Sequence, residues 1–111
     1  MTGNPVFDRA KFLLRIGGDE SLCDEILVVF LEVTPEHLAE LEQALDSDDI
    51  ETTRRLAHSI KGAASNIDAE GTRRAAHELE MAAASGEKER FRALFEDIQR
   101  EFDLLKAVIS V

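Results

Sequence analysis

Residues 50–67 read IETTRRLAHSIKGAASNI, and this stretch indicates the fold class because it is apolar along one side only. Its apolar and small residues recur every three or four positions, which is the spacing of one face of an α-helix: Ile50, Thr53, Ala57, Ile60, Ala64 and Ile67. On a helical wheel, His58 falls about 140° from the centre of that stripe and Gly62 about 180° from it. The stretch therefore predicts a helix that is buried along the stripe and presents His58 to solvent.

Three residue types meet on the exposed face of this helix. His58 is followed by Lys61 at i+3 and by Gly62 at i+4, so an imidazole, an ammonium and a bare piece of backbone lie together. A glycine inside a helix costs about 1 kcal/mol relative to alanine, and its presence indicates that another molecule comes close to the imidazole. Basic and small residues flank the group on the same side: Arg54, Arg55 and Ser65.

Outward from this helix, the chain reads as one domain of helices joined by short turns. A short helix at about residues 5–16 begins at Pro5 and ends at Gly17-Gly18, and Asp19 is a plausible N-cap for the next one. The long helices are predicted at about residues 19–46, 49–67, 69–85 and 87–109. This pattern predicts an all-α fold, an antiparallel up-down four-helix bundle with a short additional N-terminal helix.

Each long helix has an expected inward stripe. For residues 19–46 the stripe is Leu22, Ile26, Val29, Phe30, Val33, Leu38, Leu41 and Leu45; for 69–85 it is Ala69, Thr72, Ala76, Leu79 and Ala83; and for 87–109 it is Phe91, Phe95, Ile98, Phe102, Leu105 and Ile109. Pro35 either kinks the second helix or begins a new one. Asp48 with Glu51 resembles a capping box, and Asp68 can cap the fourth helix.

Composition excludes several classes of function. The chain has 111 residues and a formal net charge of −10, which argues against sequence-independent binding to nucleic acid or an anionic membrane. One cysteine, Cys23, excludes an internal disulfide, and its apolar neighbours predict a buried thiol. Neither a signal peptide nor a membrane span is present in the sequence, so the cytoplasm is the expected location.

Charge is distributed unevenly along the chain. Residues 49–74 carry five basic and four acidic side chains, which nets +1 there and leaves −11 on the rest. A locally basic patch suits a phosphate and an acidic docking partner. The alternative is a solvated helix face with ordinary i,i+4 pairs, such as Glu51 with Arg55.

The chemistry open to His58 is phosphoryl transfer. A neutral imidazole nitrogen can attack a phosphoryl group and hold it as phosphohistidine, while Lys61 neutralises the oxygens. Gly62 leaves room for the approach, and Ser65 is small and can donate a hydrogen bond. The sequence has no P-loop and no glycine-rich nucleotide lid, so it predicts a phosphocarrier without ATP-binding or kinase segments, and not an enzyme.

The run from His58 to Ala64, HSIKGAA, resembles the phosphoacceptor signature of histidine phosphotransfer (HPt) domains, the relay modules of multistep two-component signalling. The resemblance covers about residues 7–105. It includes Phe7-Asp8, the run from Arg15 to Asp19, the half-helix from Leu38 to Leu45 with Asp48-Asp49, and Leu79-Glu80. The chain departs from the family pattern at Asp68, Gly71, Thr72 and Ala75, which bears on local packing and on the choice of partner.

The resemblance implies that His58 is phosphorylated at Nε2 and that Lys61 assists the phosphoryl group. Gly62 gives the partner room, and Arg54, Arg55 and Ser65 complete the docking face. The implied partners are response-regulator receiver domains and a hybrid sensor histidine kinase. The receivers supply the phosphorylated aspartate and hold Mg²⁺, and the chain itself, a monomer, needs no cofactor or metal.

Other interpretations remain open at this point. An HPt-like module could dock receivers or kinases without carrying phosphate, and the chain could be free-standing or a domain of a hybrid kinase. Exposed apolar positions such as Leu27 or Leu31 could support a dimer. A di-iron site needs Glu-x-x-His pairs, which the chain lacks; His37 with Glu40 and His77 with Glu80 are expected to be surface pairs.

Overall fold

A computed structural model describes residues 6–109, and this part of the chain is all-helical, without a strand. The fold class is therefore confirmed as all-α. A 3-10 turn at Lys88–Arg90 precedes the last helix. The α-helices are α1 (Arg9–Arg15), α2 (Glu20–Asp46), α3 (Ile50–Asn66), α4 (Glu70–Ala84) and α5 (Phe91–Val108).

The first helix is shorter than the expected 5–16. Its N-cap is Asp8, whose carboxylate accepts a hydrogen bond from the Lys11 backbone N–H at 3.0 Å, so regular helix begins only at Arg9. The predicted start at Pro5 lies outside the described residues. Gly17 and Gly18 both have positive φ, the conformation that ends the helix.

Helix α2 runs from Glu20 to Asp46 without interruption, so Pro35 does not begin a new helix. The predicted cap is confirmed, because Asp19 accepts a hydrogen bond from the Leu22 N–H at 3.0 Å. Thr34 and Leu38 are buried on either side of the proline. Their packing holds the helix together despite the hydrogen bond that proline cannot donate.

The two other predicted caps are wrong, for the same geometric reason. Asp48 and Asp68 have φ values of 55° and 60°, which lie in the left-handed region. Each therefore belongs to the turn between two helices, and the next residue in the chain is the N-cap. Asp49 caps α3 instead, accepting from the Thr52 N–H at 3.0 Å. Ala69 precedes α4 without a side-chain cap.

The Asp68 carboxylate is used to hold the N-terminal helix. Arg15 Nε donates to its Oδ2 at 2.9 Å, and Lys11 Nζ lies 3.8 Å from Oδ1. The Arg15 guanidinium also donates to the backbone carbonyls of Ser65 and Asn66. Asp68, one of the departures from the family pattern, thus ties α1 to the turn between α3 and α4.

The predicted inward stripes of α3, α4 and α5 are confirmed. All their residues are buried except Ile50, which is half-buried at the start of α3. Leu56, Ala82 and Leu94 are buried as well. Cys23 is buried as predicted, and burial raises the pKa of its thiol, as expected of an unreactive cysteine.

The stripe predicted for the first half of α2 is confirmed only at Phe30, which is buried, and at Ile26, which is half-buried. Leu22, Val29 and Val33 are exposed, and the buried line is rotated by about one residue. It consists of Cys23, Leu27, Phe30, Thr34, Leu38, Leu41 and Ala44. Packing on α1 and α5 selects this line: Arg9 pairs with Asp24, and the Phe30 and Phe102 rings lie 6.0 Å apart. Leu27, expected to be exposed in a dimer contact, is fully buried, and Leu31 is half-buried.

The long helices contact one another in a ring. Helix α2 packs against α3 and α5, α4 packs against the same two helices, and α1 packs on α2. The outer face of α3 is left open beside α4. None of the helices in residues 6–109 is both long enough and apolar enough to span a membrane.

Candidate functional site

His58 lies in the middle of α3 with its side chain 64% exposed. The buried neighbours Ala57 and Ile60 fix the rotation of the helix, and this rotation turns His58 outward. The position predicted from the helical wheel is therefore confirmed. The imidazole is accessible to another protein without any change in the core.

Glu80 of α4 joins His58 to Lys61. Its Oε2 lies 2.8 Å from His58 Nδ1, and its Oε1 lies 2.6 Å from Lys61 Nζ. The Glu80 side chain is only 16% exposed, so both contacts are made by a carboxylate that is largely shielded from water. One carboxylate from α4 thus organises two side chains that stand one turn apart on α3.

The charge state of Glu80 determines which imidazole nitrogen is free. Burial acts to raise the pKa of the Glu80 carboxyl, but the hydrogen bonds from Lys61 and His58 outweigh it, so the pKa lies below its ordinary value. An ionised carboxylate only accepts hydrogen bonds, and His58 Nδ1 must therefore carry the proton. In a neutral ring this leaves Nε2 with its lone pair, which is a nucleophile on the exposed side chain.

Gly62 leaves an open surface one turn from His58. The residue is exposed, and a Cβ built there would meet no other atom within 4 Å. Packing within the chain therefore does not require a glycine, although glycine weakens a helix. The open space is available to a second molecule, as the sequence predicted.

The predicted docking residues differ in the contacts that they make within the chain. Arg54 pairs with Glu51, and this hydrogen bond is the main cause of the raised pKa of its guanidinium, to which the Glu80 charge adds. Arg55 is exposed but lines a shallow groove between α2 and α3, and the expected Glu51–Arg55 pair is replaced by Glu51–Arg54. Ser65 is exposed, with its carbonyl held by Arg15. Contacts in the structure therefore join His58, Lys61 and Glu80, but do not join Arg55 or Ser65 to the imidazole.

The expected basic character of this region is largely compensated. Lys61 pairs with Glu80, while Arg73 and Arg74 both reach Glu70. The pKa of Glu70 is lowered chiefly by its hydrogen bond from Arg73. Most of the positive charge near His58 is therefore held in ion pairs.

Sequence reasoning assigned no function to Glu80. It treated His77 and Glu80 as a surface pair, but that contact is 4.0 Å long and the closer partners of Glu80 are on α3. The signal available was the Leu79-Glu80 pair, which is part of the resemblance to HPt domains. Within residues 6–109, no group of three or more His, Cys, Asp or Glu side chains could hold a metal ion.

Comparison with known proteins places these features in context. The sequence matches the family model described as Hpt domain over residues 25–108. Among solved structures, the chain is similar to histidine-containing phosphotransfer protein B (HptB) from Pseudomonas aeruginosa PAO1. The two share 31% sequence identity and a TM-score of 0.88, over 96% of this chain and 92% of that one. No curated protein matches the sequence significantly.

Proposed function

Because the chain belongs to the Hpt domain family, whose members act in histidine phosphotransfer, we propose that it accepts a phosphoryl group on His58 from a receiver-domain aspartate and passes it to another receiver. Hpt proteins interact with receiver domains and kinases in phosphorelays and are not kinases themselves. The observation that carries the proposal is the contact between Glu80 and His58 Nδ1 on a ring whose other nitrogen is free.

The transfer step follows from that geometry. The lone pair of His58 Nε2 attacks the phosphorus of the aspartyl phosphate, a P–N bond forms, and the bond from phosphorus to the aspartate oxygen breaks. The aspartate leaves as a carboxylate with the bonding electrons. The ring becomes cationic on phosphorylation, and its Nδ1 proton remains hydrogen-bonded to the negative Glu80. Transfer to the next receiver is the reverse of this step.

Lys61 is proposed to stabilise the transferring group. It stands one helical turn from His58, and its flexible side chain can turn from Glu80 Oε1 toward the phosphoryl oxygens. Phosphoryl transfer depends mainly on positioning and on neutralising the charge of these oxygens. Glu80 therefore has two positioning functions, because it orients the imidazole and holds the ammonium nearby.

The docking face is proposed to be the exposed side of α3. Gly62 leaves space for the receiver backbone, and Arg54, Arg55 and Ser65 border that space. Mg²⁺ belongs to the receiver in this proposal, and the chain needs no cofactor. We take the chain to be a cytoplasmic monomer with its four long helices in antiparallel up-down order.

Phosphotransfer from labelled receivers tests the proposal. A panel of phosphorylated receiver domains is incubated with the wild type and with His58→Gln, whose side chain cannot form a phosphoramidate through an imidazole. We expect acid-labile, alkali-stable label on the wild type alone. Equal labelling of both proteins would exclude His58 as the acceptor. Binding to a receiver without any labelling, with the protein folded, would instead establish a docking module.

A further inference from the structure

Lys61 is needed in two places during the proposed transfer. At rest its Nζ lies 2.6 Å from Glu80 Oε1, and in the proposed transfer it turns to the phosphoryl oxygens on His58. The Glu80 side chain is only 16% exposed, so water does little to replace the departing ammonium. A carboxylate oxygen that is ionised, shielded from water and unpaired is costly. The movement of Lys61 is therefore easier if another cation takes its place at Oε1.

His77 is a titratable side chain beside this oxygen. Its Nδ1 lies 4.0 Å from Glu80 Oε1, from a position three residues earlier on α4. That distance is too long for a hydrogen bond, and Lys61 holds the oxygen at a shorter one. The His77 side chain is 41% exposed, so its ring exchanges protons with water directly. A movement of about 1 Å, within the freedom of the broad χ2 torsion of histidine, brings Nδ1 into hydrogen-bond distance.

The other charged groups of α3 near Glu80 are already engaged. Arg54 feels the charge of Glu80, but its guanidinium donates to both carboxylate oxygens of Glu51. His58 holds the second oxygen of Glu80, Oε2, through Nδ1 at 2.8 Å. Neither side chain is placed to replace Lys61 at Oε1 without giving up its present contact.

Charged groups on α4 and beyond it face other partners. Arg73, one turn before His77, donates two hydrogen bonds to Glu70. On the helical wheel, Glu78 lies about 100° from His77. It marks the side of α4 that the charged groups of the 3-10 turn and of α5 reach, namely Arg90, Asp97, Arg100 and Glu101. His77 is therefore the side chain best placed to take the position of Lys61.

We propose that His77 is a positioning residue for the transfer, which replaces Lys61 at Glu80 Oε1 when Lys61 turns to the phosphoryl group. At rest, Lys61 and His58 hold the two oxygens of Glu80. In the loaded state, His77 takes up a proton from water and donates from Nδ1 to Oε1, while Lys61 keeps its own proton. Glu80 thus stays paired at both oxygens. The inference rests on the proposed function, because a phosphoryl group on His58 is what draws Lys61 away.

Proton uptake by His77 makes the exchange dependent on pH. An imidazole takes up a proton at neutral or mildly acidic pH, so the exchange operates there and is lost in alkaline solution. The ring of His58 also responds to pH, but it does so equally in the wild type and in a variant that lacks only His77. The ratio of the two proteins therefore isolates the contribution of His77.

Removal of Lys61 imitates its departure without any phosphoryl group. In Lys61→Ala we expect the His77 ring to become charged at a pH about half a unit higher than in the wild type, as measured by imidazole nitrogen shifts. Loss of a neighbouring cation has a similar effect by itself, so the substitution is repeated in Glu80→Gln, where the shift should be at least twofold smaller. His37, which lies on α2, is the internal control and should titrate alike in all four proteins.

Phosphotransfer from a labelled receiver measures the function of His77. At about pH 6.5 we expect the rate of transfer to His58, or the lifetime of the phosphohistidine, to be about threefold lower in His77→Gln than in the wild type. The difference should disappear by about pH 8.5. His77→Lys, which is charged at both pH values, should restore the wild-type value at about pH 6.5. His37→Gln is the matched control and should behave as the wild type.

Two results would overturn the proposal. Equal shifts of His77 in the Glu80 and Glu80→Gln backgrounds would show only the loss of a neighbouring charge. A ratio of wild type to His77→Gln that does not change with pH would show that proton uptake by His77 has no part in the transfer. If no receiver labelled the wild type, the proposed function of His58 would fail instead, and the nitrogen shifts would still decide the contact between His77 and Glu80.

Discussion

Substitution of Glu80 separates the two contacts that this residue makes. Glu80→Gln keeps an amide oxygen that can accept from His58 Nδ1 but removes the charge beside Lys61, whereas Glu80→Ala removes both contacts. The Lys61–Glu80 pair is mostly shielded from solvent, and a hydrogen bond to a charged group contributes about 1.5–3 kcal/mol. The His58 contact adds little to stability because the ring is largely exposed. Both variants should therefore lower the free energy of unfolding by about 2 kcal/mol at neutral pH.

The pH dependence of this loss follows from the pKa of Glu80. Burial acts to raise that pKa, but the hydrogen bonds from Lys61 and His58 lower it below the ordinary 4.5. A carboxyl whose pKa is lower in the folded than in the unfolded state stabilises the fold above the unfolded pKa. That stabilisation disappears as the pH falls through the folded pKa. The gap between the wild type and Glu80→Gln should therefore be full at neutral pH and shrink below about pH 4.5.

Urea unfolding at neutral pH and at about pH 3 measures both effects. Glu78→Gln is the matched control, since Glu78 lies on the same helix and is about half exposed. Imidazole nitrogen shifts should show the proton on Nδ1 in the wild type and in Glu80→Gln, and a mixture of tautomers in Glu80→Ala. The reasoning would be refuted by a wild-type proton on Nε2, or by equal stability of Glu80→Gln and Glu78→Gln.

Three further substitutions test other parts of the site and core. Lys61→Ala should slow phosphotransfer or shorten the phosphohistidine lifetime while the far-ultraviolet circular dichroism stays unchanged; wild-type rates and lifetime would remove its assigned function. Gly62→Glu should weaken receiver binding through bulk and charge yet stabilise the helix by up to about 1 kcal/mol, and calorimetric titration with unchanged affinity would place the docking face elsewhere. Thr72 has a buried hydroxyl without a hydrogen-bond partner, so Thr72→Val should raise the free energy of unfolding by about 1 kcal/mol; a urea midpoint at or below that of the wild type would contradict this.

The stripes of α3, α4 and α5 could be read from the sequence because each helix offers only one apolar line. In the first half of α2 there are two lines at helical spacing. Leu22, Val29 and Val33 form one of them, and Leu27 and Phe30 belong to the other. The positions of α1 and α5 decide between them, and a single-helix pattern contains no information on those positions. The predicted stripe of α2 was therefore wrong at the positions where contacts with other helices determine which line is buried.

The functional site, like the core, could be predicted only where its residues are close in sequence. His58, Lys61 and Gly62 are close in sequence, so helical periodicity alone puts them on one face. Glu80 is 22 residues from His58 in the chain, and its nearest sequence neighbour of opposite character, His77, suggested a local pair. Only the packing of α3 on α4 brings the carboxylate to the imidazole. The ion pair between Asp68 and Arg15 could not be predicted for the same reason, because the two residues are 53 positions apart in the chain.

If His58 carries a phosphoryl group as proposed, the open position of its ring leaves that group in contact with bulk water. The side chain is 64% exposed, so apart from Lys61 the fold would give such a P–N bond little protection from hydrolysis. A signal held on such a residue decays unless a partner arrives first. Its persistence is therefore set by the abundance of the next receiver.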